Sequence, residues 1–454
     1  MKTVAEPKIR LDHLWSKPAV REGEIFRLMR YVIRFDHNGQ VLLHNAVTGQ
    51  LILLDRNEKE LLETLPCAYA DGMDPLIDLH FLVPADTDEH KQVAGFRNLL
   101  RRLEDNKSDG SITQYTILPT TACNARCCYC FEKGIQPMTM SEQTAVDTAA
   151  FIQSRCQDRK VLLDWFGGEP TVAVARIDRI CEELRRRGVE FSSKITTNGY
   201  LMDEEMADRA RSLWRLESAK ISVDGTEESY NRVKAYVNAE DSPYQRVMRN
   251  IGFLLERGVH VELRMNFDQK NHHEFRDLLR EAADRYGQNP LLDVYVHQIN
   301  QDPFNAAEQR IQEDEPWFNE RILELNRRAR EAGMLHTKSE LPCLGYGWCS
   351  AASDSAVTIL PNGKLVSCAE MTGPDQYKGD LIHGVTDLEL VRSWKRFADP
   401  ERCRNCALFP ACVSYERCSG KGRCFYKLEK LDQARKHAEQ LVDQLVDTSF
   451  TKSL

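Results

Sequence analysis

Three cysteines stand close together in Cys123-Asn-Ala-Arg-Cys127-Cys-Tyr-Cys130, a C-x3-C-x2-C spacing with Cys128 as an extra thiol. Three thiolates can hold three corners of a cubane iron–sulfur cluster. The fourth iron then lacks a protein ligand and can take up a small molecule. Such an open position separates a reactive metal site from a closed structural one. A zinc knuckle is the competing reading, but three cysteines with no fourth ligand nearby suit zinc poorly.

Other segments add to this triad. In Gly167-Gly168-Glu169-Pro170 the glycines let a backbone approach a ligand closely, and the carboxylate can accept hydrogen bonds from an ammonium group. Thr196-Thr-Asn198-Gly199-Tyr200 and Ser222-Val-Asp224-Gly225 each end a strand-like stretch. Cysteines return late in the chain as Cys343-x5-Cys349, then x13-Gly363-x4-Cys368. Cys403-x2-Cys406-x5-Cys412-x5-Cys418 and Cys424 follow. Cys67, Cys128, Cys156 and Cys181 are left over and read as plain thiols.

The triad with Tyr129 and the Gly167–Pro170 segment resembles the radical S-adenosylmethionine (SAM) superfamily, and the likeness covers about residues 111 to 430. It implies that Cys123, Cys127 and Cys130 hold the SAM-binding [4Fe-4S] cluster. Gly167, Gly168 and Glu169 would hold the SAM amino group, and Tyr129 would pack near adenine. Asn198 lies in a segment that surrounds SAM. Ser222 would contact the ribose or carboxylate end, and Arg232 or Arg246 would pair with the carboxylate. Val296 and His297 would be further neighbours. The late cysteines look like the SPASM extension of such enzymes, which carries two auxiliary [4Fe-4S] clusters. Carried over by order, Cys343, Cys349, Cys368 and Cys418 would bind the first, and Cys403, Cys406, Cys412 and Cys424 the second. The x5 gap before Cys418 departs from the commoner x3, so Cys418 and Cys424 can exchange places.

In this family, cleavage of SAM yields a 5′-deoxyadenosyl radical that abstracts hydrogen from carbon. The usual substrates of SPASM proteins are ribosomally made peptides or proteins. The resemblance therefore implies a peptide maturase that installs an oxidative thioether or carbon–carbon crosslink. Its partners would be a precursor peptide with a leader segment and an electron donor such as flavodoxin or ferredoxin. The alternative is a maturase of a folded protein such as a sulfatase. Sulfatase maturases carry an Asp base immediately after the third cysteine of the first auxiliary cluster. Here Ala369 stands there, followed by Glu370 as the candidate catalytic base. A third reading is an iron–sulfur electron carrier, which would have no use for a SAM site.

These residues need a scaffold. Strand-like stretches at 113–118, 161–166, 190–196, 218–223, 259–266 and 292–298 alternate with helix-like ones at 141–155, 172–187, 203–213, 243–257 and 272–285. Six βα units in series predict a parallel sheet with helices outside, curled into a partial (β/α)6 barrel. Active sites on such sheets lie at the C-terminal strand ends, where the Cys123 motif falls. Thr139-x-x-Glu142 reads as a capping box for the first helix. Residues 1–105 read as a small β-rich unit with a hairpin at Asn38-Gly39, resembling the winged-helix leader-binding domains of peptide maturases. The division expected is 1–105, a barrel at 106–300, a helical connector at 301–340, the SPASM domain at 341–430 and a C-terminal helix and tail at 431–454.

Length and composition set outer bounds. At 454 residues the chain suggests two or three domains, and a hydrophobic content of 42% is enough for buried cores. A net charge of -8 argues against a general nucleic-acid binder. No apolar run is long enough to span a membrane, and the N-terminus lacks the apolar stretch of a signal peptide. Fifteen cysteines in clusters then point to metal and a cytoplasmic location.

Overall fold

Asn38 and Gly39 both take positive φ, +50° and +77°, as a two-residue turn of the primed type requires. They close the hairpin expected there. The structure, a computed structural model, describes residues 1–10, 15, 23–239, 241–299, 315–336, 340–345, 349–412, 414–418, 424 and 426–451. The N-terminal strands are β1 (Lys2–Ala5), β2 (Ile25–Leu28), β3 (Val32–His37), β4 (Gln40–Asn45), β5 (Leu51–Leu53), β6 (Cys67–Ala68) and β7 (Leu82–Pro84). They form a four-stranded sheet of order β1-β5-β4-β3 and a three-stranded sheet of order β6-β2-β7. A long helix, Glu89–Lys107, leads on, its first turn capped by the Asp88 carboxylate, which accepts from Lys91 N.

The six expected barrel strands follow. They are β8 (Gln114–Ile117), β9 (Val161–Trp165), β10 (Phe191–Thr197), β11 (Leu216–Ser222), β12 (His260–Phe267) and β13 (Leu292–Gln298). All pair in parallel and in sequence. Helices Glu142–Cys156, Val174–Arg186, Glu204–Ser212, Pro243–Glu256 and Phe275–Tyr286 cover the outer face. The first is capped by Ser141, whose hydroxyl accepts from Thr144 N. Thr139 does not cap it, because its hydroxyl is taken up against Thr120 at 2.9 Å. A short helix, Glu227–Lys234, precedes Pro243–Glu256 in the β11–β12 connection, over residues for which no helix was expected.

The C-terminal strands β14 (Ala356–Ile359), β15 (Lys364–Val366), β16 (Gly379–Asp380) and β17 (Gly384–Val385) extend this same sheet. Its order is β13-β12-β11-β10-β9-β8-β14-β15-β16-β17. The join is parallel, with Tyr115 opposite Val357. The largest core lies between this sheet and the helices that cover it, with Trp165, Trp214, Tyr115 and Phe267 fully buried.

The N-terminal sheets share their cores with the late chain. Phe26, Tyr31 and Phe81 pack in one cluster with Leu344 and Phe409, against which Cys403 and Cys406 lie. Phe35 and Leu42 pack with Ala434, Ala438 and Val442 of the last helix, Lys427–Thr451. The connector helix is Glu315–Glu331, and the expected connector residues before it lie outside the described residues. Among the described residues no helix is long and apolar enough to cross a membrane.

Candidate active site

The cysteine loop leaves the C-terminal end of β8 and is pinned by the loop after β9. Gly168 N donates to Thr120 O at 3.2 Å, and Glu169 N to Ala122 O at 2.9 Å. A Cβ on Gly167 would sit 2.3 Å from Thr120 O, and one on Gly168 would sit 2.4 Å from Ala122 O. The two glycines are therefore needed for backbone to lie against backbone here.

Glu169 is 1% exposed and its carboxylate is occupied by protein donors. Oε1 accepts from Thr171 N, Thr171 Oγ1 and Thr197 Oγ1, and Oε2 accepts from Asn198 N at 2.7 Å. Burial pushes this carboxyl up, and the hydrogen bonds pull it back. Glu169 thus ties the ends of β9 and β10 together. Asn198 continues the chain of contacts, its Nδ2 donating to Asn124 Oδ1 at 2.7 Å inside the cysteine loop.

A second network lies at the ends of β11 and β12. Lys234 Nζ donates to Tyr129 Oη at 2.9 Å and Ser222 Oγ at 2.7 Å, and it pairs with Asp224 Oδ2. Asn266 Nδ2 donates to Tyr129 Oη at 3.0 Å and Asp224 Oδ1 at 2.9 Å. Tyr129 in turn donates to Asp224. Its hydroxyl is saturated, so the phenol has only its ring to offer a ligand. Ser222 accepts from Lys234 and keeps its own O–H for an acceptor outside the network. Burial pulls the Lys234 ammonium down, but Asp224, Tyr129 and the nearby Cys127 thiol outweigh it and hold its pKa well above the ordinary value.

Asp224 lies in the expected Ser222–Gly225 segment, whereas Lys234 and Asn266 were not among the residues expected to meet SAM. Arg232, which was, points away. Its side chain is 67% exposed and pairs with Glu228 at 3.5 Å. Arg246 lies with its guanidinium 4.4 Å over the Tyr200 ring. Val296 is buried in the barrel core. His297 Nδ1 bonds Gln298 O, and burial lowers its pKa to about 4. Glu370 is exposed beside Cys368.

The cysteines fall into groups. Burial pushes Cys123 up to about 11, and Glu169, Cys127 and Cys130 add to the shift, so the triad converges. Burial also raises Cys368 to about 12, with Cys349 and Cys418 acting on it. Cys424 is likewise raised to about 11, with Cys412 and Cys406 among its neighbours, and Cys403 feels Cys412 and Cys406. Cys343 Sγ lies 3.7 Å from Val47 O, against the N-terminal region. Cys156 and Cys181 are buried in the barrel core.

This donor set fits iron–sulfur clusters. Thiols that burial and mutual repulsion hold protonated ionise when cationic iron binds them. Asn124 Nδ2 is buried beside the triad with no partner among the described residues, and so offers a hydrogen bond to a ligand there. Among the described residues no three Cys, His, Asp or Glu side chains gather as a single ion's ligands would. A cubane keeps its thiolates further apart than that.

Residues 117–282 match the family model of the Radical SAM superfamily. No curated protein matches the chain. A solved structure described as native anSMEcpe with bound AdoMet is similar with a TM-score of 0.54 at 14% identity, over 74% of this chain and 100% of that one. The same protein with bound AdoMet and Kp18Cys peptide gives 0.52 at 15%, over 74% and 99%. SuiB of Streptococcus suis bound to S-adenosylmethionine gives 0.48 at 15%, over 90% and 99%. At these identities the likeness is one of fold.

Proposed function

We propose that this chain, a radical SAM enzyme whose matched domain spans residues 117–282, is a peptide maturase that installs an oxidative crosslink, thioether or carbon–carbon, in a ribosomally made precursor. The observation that carries the reading is the convergence of three thiols, Cys123, Cys127 and Cys130, beside the Lys234–Asp224–Ser222 network at the strand ends. Cys123, Cys127 and Cys130 would hold a [4Fe-4S] cluster, which, once reduced by an outside donor, would supply the electron that splits SAM and so a radical able to take hydrogen from carbon.

The chain's own residues bind and orient. The Ser222 hydroxyl offers a hydrogen to the carboxylate or ribose of SAM, with Lys234 behind it as the positive charge that Arg232 or Arg246 was expected to provide. The Tyr129 ring offers a face for adenine. Glu169 acts by fixing the β9 and β10 loops at the spacing SAM requires. At the mouth, Phe131, Ile135 and Met138 are exposed on the loop after Cys130, an apolar surface suited to a peptide side chain.

The late cysteines would hold two further cubanes, which suits them to accept the electron left on a modified peptide. The N-terminal sheet ends on β3, an edge strand that a leader segment could extend through backbone hydrogen bonds. Because the N-terminal sheets share their cores with the late chain, deleting them would uncover apolar surface. Hydrogen exchange is the better probe of this site, and the amides of Val32–His37 should gain protection when precursor binds.

The decisive experiment is anaerobic reconstitution followed by a deoxyadenosine assay. About twelve irons per chain are expected, and about eight after Cys123, Cys127 and Cys130 are changed together to Ala. Reduced protein that holds its iron but leaves SAM intact would remove the enzyme reading in favour of an electron carrier.

A further inference from the structure

The helix Glu89–Lys107 carries one side chain that its own region does not explain. Arg97 is 3% exposed, although it sits among charged helix residues that face water. Its guanidinium lies 4.5 Å over the Phe397 ring and 4.9 Å over the Phe409 ring. Nε and Nη2 are buried with no hydrogen-bond partner among the described residues. The anion at hand is Asp399, and its carboxylate is turned to His90 at 2.8 Å and Arg404 at 3.7 Å. A guanidinium stays charged in a protein. Buried without a paired anion, it costs several kcal/mol, so such groups persist where something negative meets them.

The groups whose charge acts on Arg97 include two thiols, Cys412 and Cys403, alongside Tyr415 and Asp399. Phe409, which stacks on Arg97, donates its N–H to Cys406 O at 2.9 Å. Phe409, under the guanidinium, also packs in the cluster against which Cys403 and Cys406 lie, so Arg97 sits beside the thiols assigned to the second auxiliary cluster. Four thiolates leave an oxidised cubane net negative, and an accepted electron makes it more so. A fixed cation in a dry setting stabilises the reduced form and raises the potential, because net charge and surroundings set the potential of such clusters.

We propose that Arg97 is the counter-ion of the second auxiliary cluster and raises its reduction potential, so that this cluster is tuned from the N-terminal region. The proposal rests on the assignment of those four cysteines to a cluster. It concerns electrostatics toward that group, and Arg97 touches neither SAM nor peptide in this scheme.

The test is a redox titration followed by electron paramagnetic resonance on reconstituted full-length protein. The proteins compared are wild type, Arg97→Gln, Arg97→Met and Arg97→Lys. In the two neutral variants one auxiliary signal should become about tenfold harder to reduce, a fall of about 59 mV for a one-electron couple. The SAM-binding cluster should not move, and Arg97→Lys should stay close to wild type. Loss of that one cluster from both neutral variants but not from Arg97→Lys would equally support the counter-ion. Unchanged potentials with full iron would overturn it. So would Arg97→Lys behaving like Arg97→Gln, which would make the role one of packing. Iron counts keep the two readings apart. Wild type with only about eight irons would remove the cluster itself, whereas about twelve irons with no shift would remove only the role of Arg97.

Discussion

Lys234 Nζ lies 3.0 Å from Asp224 Oδ2, and the two side chains are 3% and 0% exposed. The Lys234 carbonyl also accepts the Arg126 N–H of the cysteine loop at 2.9 Å. The pair thus joins the helix Glu227–Lys234, the end of β11 and the cysteine loop. Breaking it from one side leaves a buried, unpaired charge. Lys234→Met should lower stability by about 3–5 kcal/mol and abolish SAM binding. Lys234→Met with Asp224→Leu should recover much of the stability and none of the SAM binding. Urea unfolding and a SAM titration on both variants check this. A double variant that regains SAM affinity would place the ligand's charge elsewhere.

Glu169→Gln keeps the shape of the side chain but turns one acceptor into a donor. An amide at the Oε2 position takes the acceptor from Asn198 N, and one at Oε1 takes it from Thr171 and Thr197 together, in a buried place either way. A stability loss of about 1–3 kcal/mol and weaker SAM binding are expected, with iron content unchanged. Calorimetry and iron analysis of the same preparation measure both.

Gly168→Ala would drive its Cβ into Ala122 O and Thr121 O, at 2.4 and 2.6 Å. Both are backbone atoms and cannot swing aside, so the cysteine loop must move. Iron should fall from about twelve to about eight per chain. Gly95→Ala is the control. That glycine lies within the helix Glu89–Lys107, where a Cβ would meet nothing within 4 Å. It should hold all its iron and gain about 0.5–1 kcal/mol.

His44 should make stability depend on pH. It is fully buried, its Nε2 meets Pro342 O at 2.6 Å, and burial lowers its pKa from 6.5 to about 4. The unfolded chain therefore binds the proton more readily than the folded one. The stability from neutral His44 is complete above pH 6.5 and is lost as pH falls through about 4. It amounts to roughly 3 kcal/mol. Urea midpoints across that window should slope less in His44→Gln, with His297 supplying the remaining dependence. An identical slope in variant and wild type would assign the acid sensitivity to other groups.

The barrel was legible because its signals are local. Apolar strands alternate with amphipathic helices, and cysteines at fixed spacing leave few chemical readings. The buried cation at the strand ends was not. Arg232 and Lys234 stand two residues apart, about 200° around a helix. Which of them faces inward depends on where the helix begins, at Glu227, and Thr226 at its N-cap makes no side-chain cap bond to fix that start. The structural tie made by Glu169 was hidden for a different reason: its partners Thr197 and Asn198 come from the end of another strand. Nothing in the sequence around Arg97 marks it for burial, because the rings that cover it lie about three hundred residues downstream.

Strand β8 has one neighbour, β9, that follows it closely in the chain, and another, β14, that is made only after the whole barrel has been synthesised. Until Ala356–Ile359 emerges, the outer edge of Gln114–Ile117 keeps its backbone donors and acceptors open. An unpaired edge on a parallel sheet can add a strand from another chain. Release from the ribosome before Ala356 would therefore yield a sticky intermediate rather than a smaller working barrel. Overexpression that outruns chain completion should fill inclusion bodies with it.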